Sequence, residues 1–182
     1  MLDEYRQRFR AFHTQWQREQ YLHLAGRKAY PETDFLLHEN SDLFAPAVIA
    51  ELRVKRDETA EYRQTERAAL HRLIDFAKAG LVTLQTLDLD RGISEFEARA
   101  TFLWEEQRLT IKQAQNVIRQ EADWLRRREL QIRRADLIQQ VQDLRVERLA
   151  KLQKIAQNLG YANYLLLQQT LQQCEAEKLT PA

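Results

Sequence analysis

LHRLIDFAKAGLVTLQTLDLDRGISEFEARA, residues 70–100, decides the fold class. Leu70, Leu73, Ile74, Ala77, Leu81, Leu84 and Leu87 fall at helical spacing, and Ile93, Phe96 and Ala100 keep the rhythm. The pattern predicts one long helix over about 60–100, capped near Asp57 or Thr59. Gly92 costs such a helix roughly 1 kcal/mol relative to alanine, which packing absorbs; a kink near Asp90 is the alternative.

The same periodicity extends in both directions. On the N-terminal side, Leu2, Tyr5, Phe9, Phe12 and Trp16 form a core- or partner-facing stripe on a helix over about 2–25. Gly26 ends it with a left-handed residue, Arg27 and Lys28 suit its negative end, and Pro31 prevents a restart. AYPETDFLLHENSD (29–42) reads as a loop, and Pro46 opens a short helix over about 46–55. On the C-terminal side, TFLWEEQRLTIKQ (101–113) reads as a small β-hairpin near 102–111 or an extended crossover. Thr110 and Gln113 form a capping box for a helix over 111–120.

Leu130, Leu137, Val141, Leu144, Leu152, Ile155 and Leu159 then predict a helix over 123–159, on the order of 55 Å long. Acid–base pairs four residues apart support it at Asp123/Arg127, Glu129/Arg133 and Glu147/Lys151. Gly160 terminates it, Tyr161 folds back on Ile155 or Ala156, and Asn163 caps a last helix over 164–174 carrying Leu165, Leu166 and Leu171. The expected fold is all-α: a single domain, 1–182, forming an elongated antiparallel bundle or leaning on something outside the chain.

Composition agrees. The 182 residues hold few loop formers, with 4 glycines and 3 prolines. With 30% charged residues and a net charge of +1, the chain lacks the cationic excess of a general nucleic-acid binder. No apolar run reaches the roughly 18 residues of a membrane span, and MLDEYRQRFR lacks a signal-peptide core. Cys174 stands alone, so a reducing compartment, the cytoplasm, is expected.

Familiar catalytic patterns fail on spacing. HENSD at His38 lacks the second histidine of a zinc-peptidase helix, and His13, His23 and His71 are dispersed. His71 and Asp75, four apart, read as a surface or satisfied pair. In DLDRGISEFEA (88–98) the glycine is out of register for a calcium loop, and the third liganding position is lost. Cys174 has no evident base to make it a nucleophile, and no glycine-rich phosphate loop occurs. Arg126, Arg127, Arg128, Arg133 and Arg134 flank Leu130; interleaved with Asp123, Glu129 and Asp136, they read as a solvated face rather than a phosphate site.

Three segments carry a resemblance: YLHLAGRK (21–28), SDLFAPAVIAELRVKRDET (41–59) and AQNLGYANYLLL (156–167). Together they resemble the N-terminal helical region of zinc metallopeptidases of the oligoendopeptidase F, thimet oligopeptidase and peptidyl-dipeptidase kind. The long helix, the strand pair and the arginine-rich helix follow in similar order. In such enzymes the zinc ligands lie in a later catalytic half, so the resemblance carries over no metal ligand, catalytic residue or substrate-binding residue, and no cofactor to this chain. It implies a non-catalytic wall or lid of a peptide channel, inactive in hydrolysis by itself, whose partner is the zinc-binding half. The alternative is a stand-alone helical interaction module that binds a partner helix or a second copy of itself.

Overall fold

The computed structural model describes residues 2–179, with side chains through residue 172. In chain order the described residues form α1 (Leu2–Leu24), α2 (Thr33–Glu39), a 3-10 helix (Ser41–Phe44), α3 (Pro46–Glu58) and α4 (Gln64–Arg99). There follow β1 (Thr101–Trp104), β2 (Gln107–Thr110), α5 (Ile111–Gln120), α6 (Trp124–Gln139), α7 (Gln142–Asn158) and α8 (Tyr164–Leu179). The fold is a mostly helical bundle with one small two-stranded antiparallel sheet. The chain divides into two compact units, residues 1–85 with 153–182 and residues 86–152.

In the first unit the aromatic stripe of α1 faces the core. Tyr5 and Phe12 are buried, and Leu2, Phe9 and Trp16 pack beside them. Phe12 meets Phe44 and Phe76 edge-on, at centroid separations of 5.5 and 5.6 Å. Such tilted contacts set the positive ring edge against the negative face. Phe44 in turn lies against α4 at Gly80, where a Cβ would fall 2.1 Å from the ring. Only a residue without a side chain admits the ring this close to the helix. The Tyr5 hydroxyl, buried at the same end, donates to the Leu43 carbonyl at 3.2 Å. Burial pushes the Tyr5 hydroxyl well above its ordinary pKa.

Both glycine terminators behave as expected, Gly26 at φ +67° and Gly160 at φ +88°. Beyond Gly26, Lys28 reaches back to the Glu19 carboxylate at 2.7 Å, which also accepts the Glu32 backbone N–H at 3.2 Å. At Gly160, the Tyr161 N–H returns to the Ala156 carbonyl at 2.9 Å, and Asn163 caps α8 through the Leu166 N–H at 3.0 Å. Gln153 closes the corner from both sides, donating to the Ala162 carbonyl and accepting from the Tyr164 N–H. Arg53 of α3 donates to the Leu159 carbonyl at 2.9 Å, satisfying an orphan acceptor at the negative end of α7. Among the described side chains of α8, Leu167 is buried and Leu171 packs partly buried against the core, whereas Leu165 and Leu166 are exposed.

In the second unit the hairpin pairs Thr101 with Thr110 and Trp104 with Gln107. Its turn places Glu105 at φ +53°, a left-handed conformation normally left to glycine. Leu109, Ala114, Ile118 and Leu130 form a small core there, with Phe102, Trp104 and Val117 around it. The Thr110–Gln113 capping box forms in both directions, at 2.9 and 3.2 Å. α4 runs unbroken through Gly92. Thr86 donates to Asp90 at 2.7 Å, and Asp90 also accepts from Arg148 of α7.

Three sequence expectations are corrected. Residues 29–42 are not a loop throughout: α2 starts two residues past Pro31 and buries Leu36 and Leu37, and the 3-10 helix buries Leu43 and Phe44. Apolar burial outweighs the absence of any side-chain cap on either element. Asp57 and Thr59 do not cap α4; α3 extends to Glu58, Thr59 closes it by donating to the Lys55 carbonyl at 2.7 Å, and α4 begins at Gln64. The helix expected over 123–159 is two, because at Gln140 and Val141 the N–H groups bond three residues back, to Leu137 and Ile138. That tightened turn leaves Val141 buried. Of the acid–base pairs, Glu129–Arg133 forms at 2.7 Å, while Asp123 caps α6 through the Leu125 and Arg126 N–H groups.

The two helix-interior glycines make opposite predictions. Gly80→Ala gains about 1 kcal/mol of helix propensity and loses about 2–3 kcal/mol by overpacking Phe44. A net fall in urea-unfolding stability is expected. At Gly92 a Cβ meets Leu144 at an ordinary 3.6 Å, so Gly92→Ala is expected to stabilise by up to about 1 kcal/mol.

A second prediction concerns acid. The Lys28 hydrogen bond holds Glu19 below its ordinary 4.5, and Arg8 holds Asp42 below its ordinary 3.8. Depressed carboxylates contribute stability that is present above the unfolded values and lost as pH falls through the folded ones. Glu19→Gln and Asp42→Asn are therefore expected to destabilise at neutral pH. The deficit relative to the parent will shrink steadily when urea midpoints are measured below about pH 4.

Candidate functional site

Two features of the first unit concentrate chemistry. One is a buried ionic chain along α4. The Asp75 carboxylate accepts from Lys78 Nζ at 2.9 Å and contacts His71 Nδ1 at 2.7 Å. Lys78 Nζ also donates to the Tyr161 hydroxyl at 2.9 Å. Asp75 and Lys78 are only 5% and 4% exposed, so their charges are tolerable inside a helical core only as mutual partners. Tyr161, at the corner after Gly160, thereby joins the C-terminal segment to α4 through a side chain. Asp75 and Lys78 are buried partners at its centre, while the His71 end is partly exposed.

The other feature is an open groove of about 520 Å³ between α1 and α4. Its α1 wall is Arg6, Phe9, Arg10 and His13, and its α4 wall is Ala69, Arg72, Leu73 and Phe76. Both sets follow the i, i+3, i+4, i+7 pattern, so each wall is one helix face two turns long. Phe9 and Phe76 meet edge-on at 4.7 Å and floor the groove. Arginines stand along its rim, and no carboxylate lines it. Arg6 reaches an exposed Asp3 at 3.2 Å, whereas Arg10 and Arg72 make no ion pair with a described residue. A shallower hollow continues it past Arg6 and Ala69 to Tyr62, Arg63 and Glu66, where Arg63 and Glu66 pair at 2.7 Å.

Some of the residues singled out by sequence fall within these two features. His71 Nδ1 contacts the Asp75 carboxylate, and His13 lies on the groove wall. In the arginine cluster of α6, Arg126, Arg127, Arg128 and Arg133 are exposed and Arg134 is half-buried, and the cluster is not simply solvated. Arg126 and Arg133 each lie 5.7 Å from the Trp104 ring, Arg126 pairs with Glu105 and Glu121, and Arg133 donates to the Leu103 carbonyl. These contacts pin the hairpin to α6. The Cys174 side chain lies outside the described residues. Among described residues no group of three or more His, Cys, Asp or Glu is placed to hold a metal ion. None of the helices described is long and apolar enough to cross a membrane.

Lys78 and the groove arginines escaped the sequence reading. The signal for Lys78 was present in Asp75, three residues earlier on an otherwise apolar face. The groove signal was RxxFRxxH at 6–13, a basic edge beside an aromatic stripe. No protein-family model, curated protein or solved structure matches the chain.

The ionic chain predicts a graded response. Lys78→Met keeps the apolar stem but leaves the buried Asp75 carboxylate without its lysine and in contact with His71, and is expected to cost at most about 3–5 kcal/mol in urea unfolding. Tyr161→Phe removes one hydrogen bond and is expected to cost about 1 kcal/mol.

Proposed function

We propose that the chain is the non-catalytic N-terminal helical portion of a zinc metallopeptidase-like protein, forming a wall or lid of a peptide channel. What supports the reading is the order of elements. Long helix α4, hairpin β1–β2, arginine-rich α6 and the Leu159-Gly160-Tyr161 corner follow one another in the sequence carried by the resemblance. The corner is also a built feature, held by Gln153, Asn163 and Arg53. On this reading the chain shapes a channel, and the metal and its activating glutamate come from another polypeptide segment.

A second reading, a helical interaction module, is favoured by the groove between α1 and α4, whose apolar floor and unpaired arginines suit a protein ligand.

The purified chain, given zinc and an internally quenched peptide, is expected to show no chelator-sensitive hydrolysis. Co-expression with the His-Glu-x-x-His half of an oligoendopeptidase lacking its own N-terminal helices is expected to yield a complex that cleaves the peptide. Turnover by the chain alone would overturn the non-catalytic assignment. Failure to co-purify would favour the interaction module.

A further inference from the structure

From the groove between α1 and α4 we infer that it docks an acidic amphipathic helix of a partner protein. The inference rests on the interaction-module reading and does not depend on the peptidase resemblance.

Shape argues for a helix. Two walls with the same i, i+3, i+4, i+7 spacing form a seam open along its length, the bed into which a third helix packs ridge-into-groove. The hollow sharing Arg6 and Ala69 extends the seam beyond α4's first turn, so it is longer than a compact small molecule requires. Phe9, Leu73 and Phe76 offer the apolar floor that leucines at matching spacing would fill.

Charge argues for acidity. Among the described residues Arg10 and Arg72 stand on opposite walls without an ion pair, Arg6 pairs with the exposed Asp3, no carboxylate lines the groove itself, and Glu66 in the adjoining hollow is taken up by Arg63. A helix with glutamates flanking a leucine stripe would set carboxylates beside guanidinium groups on both rims. Arginine's planar fork suits this pairing. A basic helix would meet unrelieved repulsion. Since Arg10 and Arg72 are exposed and take no part in the core, the fold does not require their charge.

The test uses a fluorescein-labelled, stapled helical peptide of about 15 residues, with leucines at i, i+3, i+4 and i+7 and glutamates flanking them. Its control carries lysine in place of every glutamate. The full chain is expected to raise the anisotropy of the acidic peptide saturably and to leave the lysine peptide unbound. Arg10→Glu and Arg72→Glu are each expected to weaken binding about tenfold, with the thermal midpoint unchanged. Raised salt is expected to weaken it further. Equal affinity for both peptides, no binding, or binding indifferent to both substitutions would overturn the inference. Two further measurements test other occupants. Self-association that sedimentation shows to be lost in Arg72→Glu would assign the seam to a second copy. Phosphatidylserine-vesicle binding lost in the same variant, with the acidic peptide unbound, would assign it to a membrane surface. Either outcome would retain a binding role while discarding the acidic helix.

Discussion

The first unit depends on one close approach: the Phe44 ring against the backbone of α4 at Gly80. Phe44 is 1% exposed and belongs to a four-residue 3-10 helix that carries no side-chain cap. With no side-chain cap, the segment is placed by the burial of Leu43 and Phe44, by Tyr5 on the Leu43 carbonyl and by Arg8 on Asp42. Once seated, Phe44 presents its edge to Phe12 of α1 and its flank to Phe76 of α4, at 5.5 and 5.3 Å. One side chain from an otherwise weak connection thus sets how α1 and α4 lie together. The groove between those helices follows, because Phe76 contacts both Phe44 within the core and Phe9 at the groove floor.

Polar contacts complete what the aromatic cluster begins. The apolar contacts around Ile155, Ala156, Leu159 and Leu167 bring the C-terminal helices to the core, but such contacts are non-directional. Direction comes from Lys78 on Tyr161, Arg53 on the Leu159 carbonyl, and Gln153 bridging the corner. Each joins a side chain to a specific atom and is indifferent to the hydrophobic pattern. In the second unit, Arg126 and Arg133 do the same for the hairpin, gripping Trp104 and the strained turn at Glu105.

Much of this was legible in the residues, for reasons that separate clearly. Long amphipathic stripes, the Pro46 start, the Gly26 and Gly160 stops and the Thr110 capping box are local statements, and the backbone obeys them. The hairpin was visible because two short apolar runs flanked a polar turn. The break at Gln140 and Val141 was not. A 3-10 turn keeps residues three apart on one face, so the apolar rhythm passes through it without proline or glycine to mark it. α2 was hidden because Pro31 signalled a stop while Leu36 and Leu37 had a core to reach that sequence alone does not display. The seam was invisible for a related reason. Its walls are 56 or more residues apart in the chain, from His13 to Ala69, and their arginines are ordinary until the fold sets them opposite one another.

A net charge of +1 conceals that arrangement, because acids elsewhere cancel the count without entering the groove. Several basic residues are paired: Lys28 with Glu19, Arg8 with Asp42, Arg145 with Glu97 and Arg148 with Asp90. Arg10 and Arg72 form no ion pair with a described residue and stand beside the half-buried Phe9 and Phe76. Long arginine stems cover apolar surface while their heads stay hydrated. An empty seam of this kind is compatible with water; a filled one exchanges that hydration for carboxylates and buries the aromatic floor. Arg10 and Arg72 therefore shield an aromatic floor that the fold itself leaves half-buried.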